Sequence, residues 1–140
     1  MINKSLLTFD EEKHIYYYDG QAVISVTQVL NAISSEIYKN IPQRNMNKAA
    51  NRGDQVHFAI EMYNLYGAKE IDNENEGYLE AYIQFKKDFN HVPTHNEYMV
   101  FSELGYAGTL DNIGKINNNL CLIDYKTTNK IYTKLVGLQL

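Results

Sequence analysis

The sequence predicts an α/β fold of the α+β type with a mixed sheet. Helical periodicity runs from about residue 44 to 89, strand-like alternation follows from 97 to 128, and the last twelve residues, NKIYTKLVGLQL, return to helical spacing. The chain therefore reads as helices, then a three-stranded meander, then a helix, with a β-hairpin in front. With 140 residues and 44% hydrophobic content it can bury one core. It is read as a single domain over 1–140, divided into a hairpin-and-helix part (1–40) and a larger part (41–140).

The elements follow from local chemistry. In HIYYYDGQAVISV two β-rich runs flank Asp19-Gly20, a pair suited to the positive φ angles of a two-residue type I′ turn. Ser25 stands three residues before Gln28, the spacing of a capping box, so a helix is expected from Val26 to about Ala32. Apolar positions 46, 49, 50, 56, 60 and 63 mark the longest helix, from about Arg44 to Tyr66, with Gly67 as its C-terminal cap. After the polar loop AKEIDNENEG, Leu79, Tyr82, Ile83 and Phe89 line one side of a second helix. The meander begins after Pro93, and its turns fall at Leu104-Gly105 and Asn117-Asn118-Asn119.

Composition removes several function classes. Apolar runs are only a few residues long and MINKSLLTFD has no signal-peptide core, so no membrane span and a cytoplasmic location are expected. The lone Cys121 excludes an internal disulfide and cysteine-built zinc or iron-sulfur sites. A net charge of −4 argues against general nucleic-acid binding, but two stretches without acids are basic: Arg44, Lys48 and Arg52, then Lys126, Lys130 and Lys134, each stepping by four. A solvated helix face is the alternative reading of either run.

The stretch LIDYKTT concentrates the chemistry. In a strand, residues two apart share a face, so Asp124 and Lys126 point one way and Tyr125 the other. If the last turn is centred near Asn118, Asp111 falls opposite Asp124 or Tyr125. Adjacent carboxylates repel unless a cation bridges them, and oxygen ligands suit Mg²⁺ or Mn²⁺. A salt bridge between Asp124 and Lys126 is the alternative, contributing about 0–1 kcal/mol when exposed. Taken alone, His57 reads as a core histidine bonded to a backbone carbonyl or to Glu61. Glu97 reads as part of a second metal site, as a partner that orients Lys126, or as an exposed strand carboxylate. His14, His91, His95 and Glu103 read as surface residues.

Taken in order, Arg52-Gly53-Asp54-Gln55-Val56-His57, Glu97, Ala107-Gly108-Thr109-Leu110-Asp111, Ile123-Asp124-Tyr125-Lys126-Thr127 and Gln139 resemble the motifs of the PD-(D/E)XK nuclease superfamily, in its RecB-like and phage exonuclease branch. The likeness extends over about residues 15 to 140. It implies a restriction-endonuclease-like αβββα(β) core and a Mg²⁺- or Mn²⁺-dependent DNA nuclease, exonuclease-like, of the phage recombination type. It further implies that Asp111, Asp124 and the Tyr125 backbone carbonyl hold the metal, that His57 approaches it from the helix, and that Lys126 is the catalytic lysine. Arg44, Lys48, Arg52, Lys130, Lys134 and Gln139 would then face DNA. Because family members carry Gln-x-x-x-Tyr and a further strand at this end, the expectation is a truncated core completed by a homo-oligomer or a partner chain. The alternative is a non-cleaving nucleic-acid-binding or assembly module on the same scaffold.

Overall fold

The computed structural model describes residues 3–139, Ala32 by its backbone alone. The fold is mixed α/β, and the described strands form a mixed open sheet in the order β1-β2-β3-β5-β4, with β6 also paired to β5. Contacts gather in two units, one of residues 3–40, 98–110 and 132–139 and the other of residues 41–97 and 111–131.

The first unit opens with β1 (Leu7–Asp10), β2 (Ile15–Tyr18) and β3 (Gln21–Ser25), all antiparallel neighbours. Tyr18 faces Gln21, and Asp19 and Gly20 both have positive φ, 50° and 74°, so the predicted I′ turn is present. β1 was not expected, because four residues ending in charged positions carry little strand signal of their own. It is held by pairing with β2 and by burial of Leu7 against Tyr16 and Ala107, with Phe9, Tyr18, Val23, Met99 and Phe101 around them. Tyr18 and Phe101 stack with ring centroids 4.1 Å apart.

Ser25 ends β3 and starts α1 (Val26–Tyr38) through a full capping box: its N–H donates to Gln28 Oε1 at 2.8 Å and its Oγ accepts from the Gln28 N–H at 3.1 Å. The helix runs six residues past the expected end. Its last turns pack against α4 (Thr133–Gln139), with Tyr38 and Tyr132 edge to face at 6.0 Å, so a tertiary partner extends what the polar sequence Ser34-Ser35-Glu36 disguised. β3 runs parallel to the start of β5 (Tyr106–Ile116) through Ile24↔Tyr106 and Ser25↔Ala107. Gly108 lies where a Cβ would come within 3.1 Å of Val26 Cγ2, so glycine lets α1 sit close on the strand.

The second unit is built on α2 (Gln43–Tyr66) and α3 (Glu76–Asp88). Gly67, at φ 71°, donates its N–H to the Tyr63 carbonyl and closes α2 as predicted. Val56, Ala59, Ile60, Leu79 and Tyr82 form the core, with Tyr63, Ile71, Ile83, Phe85 and Tyr125 packed on it. Two expectations are corrected. Met46, Ala49 and Ala50 are exposed, because α3 has 13 residues against 24 in α2 and covers only its C-terminal half. Phe89 is also exposed, since α3 ends one residue before it.

β4 (His91–Phe101), β5 and β6 (Asn119–Ile123) form the predicted meander. β4 begins before Pro93, which an end strand of the sheet tolerates because it leaves one edge unpaired. The β5–β6 turn uses Asn117 and Asn118, both at positive φ, and Asn112 pairs with Ile123. Among the described residues, no helix is long and apolar enough to cross a membrane.

Candidate metal centre

All the residues described next belong to the second unit. The register Asn112↔Ile123 carries on, by one step, to Asp111 opposite Asp124, where β6 ends. The chain beyond β6 is fastened at three points: the Tyr125 N–H donates to Asp111 Oδ2 at 2.6 Å, the Tyr125 carbonyl meets His57 Nε2 at 3.0 Å, and the Thr127 carbonyl accepts from Arg52 Nη2 at 2.8 Å. The Tyr125 ring turns into the core beside Tyr82, centroids 5.3 Å apart, leaving Asp124 and Lys126 on the other side as the alternation requires.

Asp124 and Lys126 form a compact pair. Lys126 Nζ lies 2.9 Å from Asp124 Oδ1 and 2.8 Å from Oδ2, and the carboxylate is only 9% exposed.

His57, Glu97 and Asp111 make a second group, in which one ligand atom from each lies within 4.8 Å of the others. His57 is placed by α2, one turn before the buried Ile60, and its ring packs edge-on to Tyr125. A carbonyl can only accept, so the bond to Tyr125 requires the proton on Nε2. The other ring nitrogen, Nδ1, faces Asp111 Oδ1 at 3.6 Å and Glu97 Oε1 at 3.9 Å. Neither distance is a hydrogen bond.

Electrostatics show the same shortage of positive charge. Burial, then the Asp111 carboxylate, push the Glu97 carboxyl up to about 7, with His57 opposing the shift. Asp111 is also raised, chiefly by burial, while His57 and the Tyr125 N–H act the other way. Glu97 reaches this position through a left-handed backbone conformation, φ 46°, inside β4. For a residue other than glycine that conformation costs about 1–3 kcal/mol.

These donors fit a hard divalent cation: two carboxylates and a histidine whose other ring nitrogen is anchored on a backbone carbonyl, the usual outer support of a ligating histidine. The ligand set implied by the sequence is assembled only in part. His57 and Asp111 come together with Glu97, whereas Asp124 is held by Lys126 and the Tyr125 carbonyl by His57.

The basic residues separate. Arg44 and Lys48 are exposed on α2, but the half-buried Arg52 is turned onto Thr127 with its guanidinium 5.9 Å from the Tyr78 ring centre. Lys126 and Lys130 do not continue a helix face, because residues 124–132 are not helical; Lys134 and Gln139 lie on α4 in the first unit. His91, expected at the surface, is 3% exposed and bonded through Nε2 to Asn112 Oδ1 at 3.0 Å. No periodicity distinguished it; the detectable signal was a strand starting two residues before a proline.

A similar protein is mitochondrial genome maintenance exonuclease 1 of Xenopus tropicalis, 32% identical over 82 residues, which is 56% of this chain and 24% of that protein. The match thus spans about a quarter of the relative's length. No protein-family model and no solved structure matches the chain.

Proposed function

We propose that this chain is a divalent-metal-dependent DNA nuclease of the PD-(D/E)XK type, in the RecB-like and phage exonuclease branch, with Mg²⁺ or Mn²⁺ as its cofactor. The observation that carries the reading is the His57 ring, tied by Nε2 to the Tyr125 carbonyl and presenting Nδ1 to Asp111 and Glu97. Two carboxylates and one ring nitrogen converge there, a donor set that a divalent cation completes. The exonuclease relative supports the same activity.

In this reading His57, Asp111 and Glu97 hold the cation, and Asp124, opposite Asp111, is paired with Lys126. The cation supplies charge neutralisation for hydrolysis of a phosphodiester, in which a water oxygen bonds to phosphorus and the ester P–O bond breaks. Lys126 carries the ammonium nearest this face; from its place beside Asp124 it stabilises negative charge developing on the phosphate. Arg44 and Lys48 add exposed positive charge for the DNA backbone.

Linear and circular DNA incubated with the chain in Mg²⁺, Mn²⁺ or EDTA test this directly, beside Asp124→Ala and Lys126→Ala. Metal-dependent degradation that both substitutions abolish is the expected result. Cleavage that persists in EDTA or in both variants would refute it. DNA binding without cleavage under any metal would instead support the binding-module alternative.

A further inference from the structure

Beside the acidic group lies a set of hydrogen-bonded amides, one of them buried and the others half-buried. Asn112 follows Asp111 on β5 and is 0% exposed. Its side chain makes three hydrogen bonds: Oδ1 with His91 Nε2, and Nδ2 to the His95 carbonyl and to Asn96 Oδ1, all at 3.0 Å. Asn96 precedes Glu97 on β4. Asn96 Oδ1 also accepts from Asn64 Nδ2 at 2.9 Å, and Asn64 Oδ1 accepts from the Tyr82 hydroxyl at 2.8 Å and Lys86 Nζ at 3.0 Å. The chain of bonds thus runs from β5 through β4 to α2 and α3.

A buried amide is costly unless its atoms are partnered, and in a strand core an aliphatic side chain would pack as well. The amide is used here on the strand that leaves regular geometry: Glu97 has φ 46°, and two residues earlier the His95 carbonyl takes its donor from the Asn112 side chain. The neighbouring sequence is fitted to the same bond. A Cβ on Gly114 would collide with His91 Nε2 and the Val92 carbonyl and crowd Asn112 Oδ1, so glycine is what admits His91 beside Asn112.

We propose that Asn112 is a positioning residue for the cation site: clamping β4 at His95 and Asn96, it fixes the left-handed Glu97 so that its carboxylate meets Asp111 and His57. This rests on the metal reading above and extends it to a residue that touches neither metal nor substrate.

The test is calorimetric titration of the metal-stripped chain with Mn²⁺, for wild type, Asn112→Leu and Asn96→Ala, with circular dichroism and melting in EDTA alongside. Wild type binds, and each folded variant binds at least about tenfold more weakly, as when the outer partners of a metal site are removed. A role confined to stability would lower the EDTA melting temperature and leave the Mn²⁺ affinity unchanged; that result in a folded Asn112→Leu overturns the proposal. If Asn112→Leu does not fold, Asn96→Ala decides by the same criterion. Absence of Mn²⁺ binding in wild type would instead remove the metal reading itself, and the positioning role with it.

Discussion

At the end of β6, Asp124 has its counter-ion two residues away in Lys126, which lies within 2.9 Å of both carboxylate oxygens. Around His57, by contrast, Glu97 and Asp111 share one imidazole at 3.9 and 3.6 Å, and both carboxyls are raised above their ordinary range. The two groups adjoin, Asp111 on β5 facing Asp124 just past the end of β6, yet one is neutralised by its own sequence and the other is left acidic. The difference divides the roles. The self-compensated pair is suited to act on a substrate phosphate, and the uncompensated group to take up a cation.

Asp111→Asn should separate the two groups most strongly. It removes the carboxylate charge and leaves a single oxygen, which the Tyr125 N–H can occupy, so metal-dependent cleavage and Mn²⁺ binding should both be lost. Lys126→Met should lower cleavage by about 10²–10³-fold, the scale of losing one donor to developing charge, while Mn²⁺ binding persists. If Lys126→Met loses metal binding as completely as Asp111→Asn does, the division of roles is wrong.

A smaller effect lies in the metal-free protein. The Glu97 carboxyl is pushed up to about 7 in the folded chain from an ordinary 4.5, so between those values the folded state holds more protons than the unfolded one. Stability in EDTA should therefore fall as pH rises from about 4.5 to 7 and level off above that. In Glu97→Gln the fall should shrink, leaving the part contributed by Asp111, and the variant should melt higher than wild type at pH 8 in EDTA. An unchanged pH slope would mean that Glu97 is not held against Asp111.

The local devices were legible because each is specified within a few residues. Asp19-Gly20, the Ser25–Gln28 box, Gly67 and the asparagines at 117 and 118 each solve a backbone problem that only a few residue types solve. Counting outward from the last turn placed Asp111 opposite Asp124 or Tyr125, and the register Asn112↔Ile123 selects Asp124. What depended on partners distant in sequence was hidden. The four-residue step of Lys126, Lys130 and Lys134 imitated one helix face, although the first two lie in a loop and only Lys134 is on α4. The exposed first turns of α2 carry the same apolar spacing as its buried half, and only the length of α3 tells them apart. Asn64, Asn96 and Asn112 look like surface or turn residues in sequence; their pairing exists only once β4, β5 and the two helices are together.

Thermal unfolding of the chain with EDTA or excess Mn²⁺, for wild type and Asp111→Asn, tests the central claim most directly. Binding to the folded state alone at a hundredfold excess over Kd stabilises by about 2.7 kcal/mol, so wild type should melt several degrees higher with Mn²⁺ and Asp111→Asn should not respond. A wild-type melting temperature indifferent to Mn²⁺, or an equal rise in both proteins, would contradict a cation site at His57, Glu97 and Asp111.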